Sequence, residues 1–142
     1  MPTRTASATW KGGLKTGNGS FSGAAGLGGN YTVGSRFEQA TGLNPEDLLA
    51  AAEASCYSMA LSGALEKNGT PPSSVDTTAR CTVEKVNDQY TITTMHLDVQ
   101  ANVPGIDDPA FQRIASATLV GCPVSRALKG NVKLEMTARL GS

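Results

Sequence analysis

The sequence has few charged residues, few aromatic residues and no net charge. Asp, Glu, Lys and Arg make up 17% of its 142 residues, whereas roughly 25% is usual for a soluble domain. Because 12 basic residues balance 12 acidic ones, the composition argues against a protein that binds nucleic acid by neutralising phosphates or a membrane through a basic patch. Weak charge also gives little repulsion between copies, so a large self-association surface is compatible with it.

Long apolar runs are scarce as well. The first ten residues, MPTRTASATW, contain no apolar stretch after their charge, so we expect no secretory signal and a cytoplasmic protein. One run of small apolar residues occupies positions 48–65, LLAAAEASCYSMALSGAL. Because it contains Glu53 and is mostly Ala, Ser and Gly, it predicts a buried helix rather than a membrane span.

Histidine and cysteine are too sparse for most sites that are built from them. Cys56, Cys81, Cys122 and the single His96 do not have the close spacing of a structural zinc site, so we expect neither metal nor cofactor. His96 shares its predicted strand face with polar residues, which favours a solvated histidine over the base of a hydrolase. The segment 17–23, GNGSFSG, lacks the spacing of a phosphate-binding loop and is followed by no helix.

Glycine, by contrast, is abundant in the N-terminal third, which predicts an antiparallel meander. Eight of the 16 glycines lie between residues 12 and 29, where they indicate turns between short strands. We expect flanking strands at residues 3–10 and 31–38.

The strongest helix signal follows this meander. Asn44 is a good N-cap, Pro45 suits the first helical position, and Glu46 and Asp47 favour the positive end of the helix dipole. The helix is predicted to run to about Lys67. Because it is apolar on most sides, we expect it to be buried on most sides.

The remaining sequence alternates strands and helices without an internal repeat or linker. We predict strands at 75–86 and 89–103 joined at Asn87–Asp88, a helix from Asp108 as N-cap, a short helix at 124–128 and a final strand at 131–140. This order predicts the α+β class and a single domain over residues 1–142.

The three cysteines lie in different predicted surroundings. Cys81 lies on the apolar face of a predicted strand, which indicates a structural thiol. Cys56 lies in the middle of the long helix. Cys122 immediately precedes a short helix, whose N-terminus stabilises a thiolate, so on local grounds Cys122 is the more reactive thiol.

Two cysteine segments resemble those of a known family. Residues 41–61, TGLNPEDLLAAAEASCYSMAL, resemble the first cysteine motif of the OsmC/Ohr superfamily, and residues 121–125, GCPVS, resemble its second. Residues 35–38, SRFE, and 103–107, VPGID, are similar to its OsmC branch. The resemblance implies an OsmC-like fold with antiparallel sheets, a long buried central helix and an interwoven homodimer.

The resemblance also implies an activity, a thiol-dependent peroxidase that prefers organic hydroperoxides. Cys56 would attack the peroxide and become a sulfenic acid, and Cys122 would resolve it as a Cys56–Cys122 disulfide. Arg36 would hold the thiolate and polarise the peroxide, with Glu46 orienting Arg36. An external dithiol would reduce the disulfide, and the superfamily's Ohr members imply that this reductant is a lipoylated protein. The resemblance also implies a role in stress response.

Helix geometry restricts the part that Glu46 can play. It lies ten residues before Cys56, about 15 Å along a helix, so it cannot touch that sulfur from the same helix. In the role that the resemblance implies, it would act on the cysteine of a partner subunit. Two alternatives remain open: Glu53 is a closer carboxylate, and Glu46 could be only a partner of the helix dipole. Phe37, Leu49 and Met59 are candidates for an apolar substrate pocket.

A second function of another class is a redox-responsive binding protein of the same fold, without peroxidase turnover. Such a switch needs two approaching thiols but no pair of residues that polarises a peroxide. The presence of both Arg36 and Glu46 favours the enzyme.

Overall fold

Six strands and four helices form along residues 1–141, which are the residues that the computed structural model describes. In chain order they are β1 (Ala6–Lys11), β2 (Asn18–Gly23), β3 (Gly28–Tyr31), α1 (Val33–Phe37), α2 (Pro45–Lys67), β4 (Ser74–Val86), β5 (Gln89–Asn102), α3 (Asp108–Gly121), α4 (Pro123–Leu128) and β6 (Lys133–Leu140). The α+β class is confirmed. The chain divides into two compact units, Met1–Leu48 and the remainder from Leu49; the single domain stays a prediction.

The first unit contains the predicted antiparallel meander. Strands β1, β2 and β3 pair in sequence order. The rings of Trp10 and Phe21 pack on Tyr31, with centroids 5.6 and 6.1 Å away. Gly19 lies beneath this cluster, where an added Cβ would come within 2.6 Å of the Tyr31 ring, so only glycine lets the aromatic rings approach the strand.

The predicted strand at 31–38 is wrong beyond Tyr31, because Val33–Phe37 forms helix α1. Thr32 and Ser35 make a capping box: the Ser35 amide donates to Thr32 Oγ1 and the Thr32 amide donates to Ser35 Oγ. These two hydrogen bonds supply acceptors for amides that have no partner at the start of a helix. Local capping therefore overrides the strand propensity of the segment.

Helix α2 begins where the sequence predicts. The Asp47 amide donates to Asn44 Oδ1 at 2.8 Å, which identifies Asn44 as the N-cap. The helix is long and apolar enough to span a membrane, with a mean hydropathy of 1.3 over 18 residues. Its residues Tyr57, Leu61 and Leu65 are fully buried in the protein core.

Burial of α2 in the single chain is confined to one side. Only 22% of its most apolar window is buried, and Ala51, Ala52, Ser55 and Met59 are exposed. The small apolar residues therefore form an uncovered face in one chain.

The second unit is built on the predicted hairpin of β4 and β5. Asn87 and Asp88 turn it with φ values of 50° and 64°, the left-handed conformation of a tight two-residue turn. On β5, Met95, Leu97 and Val99 are buried, and they alternate with the partly exposed His96 and Asp98.

The prediction of wholly antiparallel sheets is wrong for the last strand, since β6 pairs parallel to β5. Strands that run parallel need a long crossover connection, and helices α3 and α4 supply it between β5 and β6.

Helix α3 begins one residue earlier than a cap at Asp108 implies. Asp107 is extended and its carboxylate accepts a hydrogen bond from the Ala110 amide at 2.9 Å, so Asp107 is the N-cap. Phe111 and Ala115 of this helix are fully buried, and the Tyr57 hydroxyl donates to the Ala115 carbonyl at 2.9 Å.

Candidate active site

The fold of the second unit brings two cysteines into contact. Cys56 lies in the middle of α2 and Cys122 lies between α3 and α4, and their Sγ atoms are 3.0 Å apart. Both are thiols, because a disulfide would bring the sulfurs to about 2.05 Å. Oxidation therefore requires a movement of only about 1 Å.

The segment Gly121–Cys122–Pro123 positions the second thiol. Helix α3 ends as the Cys122 amide donates to the Thr118 carbonyl, and Pro123 opens α4. Cys122 takes the extended conformation between the helices, with φ −58° and ψ 130°. It is 1% exposed whereas Cys56 is half-buried, so Cys56 is the thiol that an incoming molecule reaches.

The surroundings of Cys56 oppose its ionisation. Burial raises the pKa of the Cys56 thiol, and so do its hydrogen bond to Cys122 and the negative charge of Glu53, while a bond from the Val124 backbone lowers it. A thiolate nucleophile at this position therefore needs an additional positive charge.

A buried carboxylate joins α2 to α4 close to the two thiols. Glu53 precedes Cys56 by three residues, Ser125 follows Cys122 by three, and the Ser125 hydroxyl donates to Glu53 Oε1 at 2.5 Å. Glu53 is fully buried and Ser125 is 1% exposed. The other carboxylate oxygen, Glu53 Oε2, is buried without a hydrogen-bond partner among the described residues.

The first unit holds the arginine and the second candidate carboxylate together. Arg36 of α1 donates through Nη2 and Nε to Glu46 Oε1 at 2.8 and 3.0 Å. Glu46 is buried, and the Arg36 side chain is 37% exposed. Ser35 Oγ donates to the Leu43 carbonyl at 2.7 Å, which ties α1 to the segment before α2 and fixes the pair.

The structure thus forms two pairs from the four predicted residues, Cys56 with Cys122 and Arg36 with Glu46. The first pair belongs to the second unit and the other to the first unit. Sequence reasoning missed Ser125, although its position three residues after Cys122 in the second cysteine motif was the available signal.

An open apolar groove of about 680 Å³ in the second unit reaches Cys122, and Cys56 is not among its lining residues. Its lining is mostly small side chains of α2 and α3 and includes Cys122: Ala60, Gly63, Ala64, Lys67, Asn68, Ile114, Ala117, Thr118 and Gly121 complete it. Leu49 and Met59, expected in a substrate pocket, do not line it; Phe37 belongs to the first unit, where it packs under the Arg36 guanidinium.

The other candidate residues lie elsewhere on the second sheet. Cys81 of β4 is half-buried and packs against the apolar core. His96 of β5 lies between the carboxylates of Asp98 and Glu135, at 3.7 and 3.5 Å. Residues 1–141 contain no cluster of three metal-ligating side chains.

Comparison with known proteins gives relatives over nearly the whole chain. A family profile described as OsmC-like protein matches residues 38–137. The sequence is 42% identical to peroxiredoxin OsmC of Escherichia coli (strain K12) over 130 residues, which are 90% of this chain and 91% of the relative. It is equally similar to peroxiredoxin OsmC of Shigella flexneri.

Solved structures share the fold at lower sequence identity. The organic hydroperoxide resistance protein OhrB of Bacillus subtilis superposes with a TM-score of 0.71 at 22% identity, over 95% of this chain and 98% of its own. An organic hydroperoxide resistance protein from Elizabethkingia anophelis gives a TM-score of 0.72 at 23% identity, over 99% of both chains. The predicted OsmC-like fold is confirmed.

Proposed function

This chain belongs to the OsmC family, and from that premise we propose that it reduces organic hydroperoxides to alcohols through a Cys56–Cys122 disulfide. It is an enzyme of the peroxidase class, because peroxiredoxins are 42% identical to it over 90% of its length. The finer steps are our proposal.

The observation that carries the proposal is the 3.0 Å contact between Cys56 Sγ and Cys122 Sγ. The Cys56 thiolate attacks the terminal peroxide oxygen, the O–O bond breaks, and a sulfenic acid and an alkoxide form; the alkoxide takes a proton to become the alcohol. The Cys122 thiol then attacks the Cys56 sulfur, and the sulfenic hydroxyl leaves with the thiol proton as water. The contact distance makes this second step intramolecular and fast.

Arg36 supplies the positive charge that the surroundings of Cys56 lack. A guanidinium stabilises the thiolate and the departing alkoxide through several donors. Glu46 holds Arg36 by two bonds to one carboxylate oxygen, which supports an orienting role. In this proposal the Arg36–Glu46 pair keeps the guanidinium in one rotamer while leaving donors for the substrate.

We assign the pair to the site of a partner subunit in a homodimer. Ten residues of helix separate Glu46 from Cys56, a rise of about 15 Å. The uncovered face of α2 (Ala51, Ala52, Ser55 and Met59) and the zero net charge both favour association with a second copy.

An external dithiol completes the cycle in the cytoplasm. It attacks the Cys56–Cys122 disulfide, is itself oxidised to a disulfide, and returns both cysteines as thiols. The chemistry suits a dihydrolipoyl group on a protein, because that dithiol closes a ring on oxidation.

Thiol counting with an organic hydroperoxide tests the function. One equivalent of cumene hydroperoxide is added to the wild type and to Cys81→Ala, and thiols, intact mass and disulfide-linked peptides are measured. We expect the loss of two thiols and a Cys56–Cys122 link in both proteins. Cys56→Ser should not react, and Cys122→Ser should stop at a sulfenic acid that dimedone traps.

The same experiment separates the enzyme from a redox-responsive binding protein. A disulfide that forms without stoichiometric cumyl alcohol, or without turnover when dihydrolipoamide is supplied, would favour the binding protein. A link through Cys81 would overturn the mechanism itself.

A further inference from the structure

The Glu53–Ser125 pair has no part in the chemistry above, yet it is the most completely buried polar contact near the thiols. Glu53 is 0% exposed and Ser125 1%, and their oxygens are 2.5 Å apart. Burying a carboxylate is costly, and one oxygen of Glu53 has no hydrogen-bond partner among residues 1–141. Packing alone would favour an apolar side chain at this position.

The geometry of the pair repeats that of the cysteines. Each polar residue lies three positions from a cysteine, Glu53 before Cys56 on α2 and Ser125 after Cys122 on α4. Residues three apart lie on the same face of a helix, so Glu53 and Cys56 share a face of α2. Helix α2 therefore meets the short segment from Cys122 to Ser125 through two adjacent contacts, one between sulfurs and one between oxygens.

We propose that Glu53 is a positioning residue which, through its hydrogen bond from Ser125, holds the start of α4 against α2 and keeps Cys122 in line with Cys56 for disulfide formation. The role rests on the proposed function, in which Cys122 resolves Cys56. It differs from a contact that only stabilises the fold, because Cys122 lies outside regular helix, at an extended residue between α3 and α4. There a small rotation of α4 would change the angle of attack on Cys56.

The bond matters most after the peroxide has reacted. The Cys56 thiol then becomes a bulkier sulfenic acid and its contact with Cys122 changes, whereas the Glu53–Ser125 contact contains no reacting atom. It therefore retains the relative position of the helices through the step in which the sulfurs must approach from 3.0 Å to about 2.05 Å.

Intramolecular exchange on Ellman's reagent tests the proposal without a hydroperoxide. In a Cys81→Ala background, Cys56 displaces one thionitrobenzoate and forms a mixed disulfide; the Cys122 thiolate then attacks the Cys56 sulfur and releases the second thionitrobenzoate. The rate of the second release, followed by stopped-flow absorbance, measures how well Cys122 is positioned.

Four variants and one matched control decide the outcome. Ser125→Ala and Glu53→Ala each remove the bond and should slow the second release about tenfold, and the double variant should be no slower than either. Glu53→Gln keeps an oxygen acceptor for the Ser125 hydroxyl and should stay near the wild-type rate. Ser58→Ala is the matched control, since it removes a 2.8 Å bond from the same helix to Thr77 of β4.

Wild-type rates in Ser125→Ala or Glu53→Ala, or a Glu53→Gln protein as slow as Glu53→Ala, would overturn the proposal. If circular dichroism shows that Glu53→Ala does not fold, the rates of Ser125→Ala and Glu53→Gln still decide between the outcomes. A wild type that releases thionitrobenzoate rapidly but does not consume hydroperoxide would contradict the proposed function and leave this positioning role intact.

Discussion

Cys56 carries the nucleophile of the proposed reaction in surroundings that favour its protonated form. Burial is the largest cause of its raised pKa, and the charge of Glu53 adds to it. Because the thiol is less nucleophilic than the thiolate, the proposed reaction needs a cation near Cys56.

Removal of the Glu53 charge should make Cys56 easier to ionise. A nearby negative charge raises a thiol pKa, so in Glu53→Gln the iodoacetamide alkylation of Cys56 should reach half its maximal rate at a lower pH than in the wild type. Glu66→Gln, at an exposed position of the same helix, is the control and should leave the profile unchanged. A profile shifted to higher pH in Glu53→Gln would contradict the electrostatic effect of Glu53.

At this scale the sequence identified the cysteines and the Arg36–Glu46 pair as candidates, through their resemblance to a family. It ranked Cys122 as the more reactive thiol from its place before a helix, but could not foresee its burial, which depends on how α2, α3 and α4 pack. Ser125 was missed for the same reason, since its partner Glu53 lies 72 residues away in the chain.

At the scale of elements, local signals predicted best where they acted alone. The N-cap at Asn44 and the turn at Asn87–Asp88 both form as expected. The segment after Tyr31 was mispredicted because a capping box outweighs strand propensity over a few residues. The parallel pairing of β6 depends on the crossover through α3 and α4, which strand periodicity does not encode.

The hairpin turn offers a test of backbone strain. Asp88 has φ 64°, where glycine has no Cβ penalty, so Asp88→Gly should raise the free energy of unfolding by about 0.5 kcal/mol. Urea denaturation measures it. Asp88→Ala loses the same ion pair with Lys85 but retains a Cβ, so it should be no more stable than the wild type. If both variants were stabilised equally, backbone strain at position 88 would be contradicted.

The groove between α2 and α3 offers a test of substrate shape. A Cβ at Gly63 would meet no atom within 4 Å, so Gly63→Leu should fold and narrow the groove. If the hydrocarbon part of the substrate binds there, we expect a KM for cumene hydroperoxide raised several-fold, with oxidation by hydrogen peroxide unchanged. Equal losses for both peroxides would instead indicate damage to the thiol pair.

For the whole molecule, the proposal that a second chain supplies Arg36 to the site of Cys56 can be tested by complementation. We expect Cys56→Ser and Arg36→Ala to be inactive separately and to regain activity when they are unfolded together and refolded as a mixture. Half the dimers are then mixed and each has one intact site, so about a quarter of wild-type activity should return. No recovery, with mixed dimers verified by native mass spectrometry, would show that Arg36 acts within its own chain.

The contact between Cys56 and Cys122 joins positions 66 residues apart in the chain, and this separation gives oxidation a thermodynamic effect of its own. Closing so long a loop reduces the conformational entropy of the unfolded chain and corresponds to about 4 kcal/mol of added stability. Each catalytic cycle would therefore alternate between a reduced protein with a lower free energy of unfolding and an oxidised protein with a higher one. When the reductant is exhausted, the enzyme would accumulate in the form that resists heat and proteolysis best, preserved until dithiol returns.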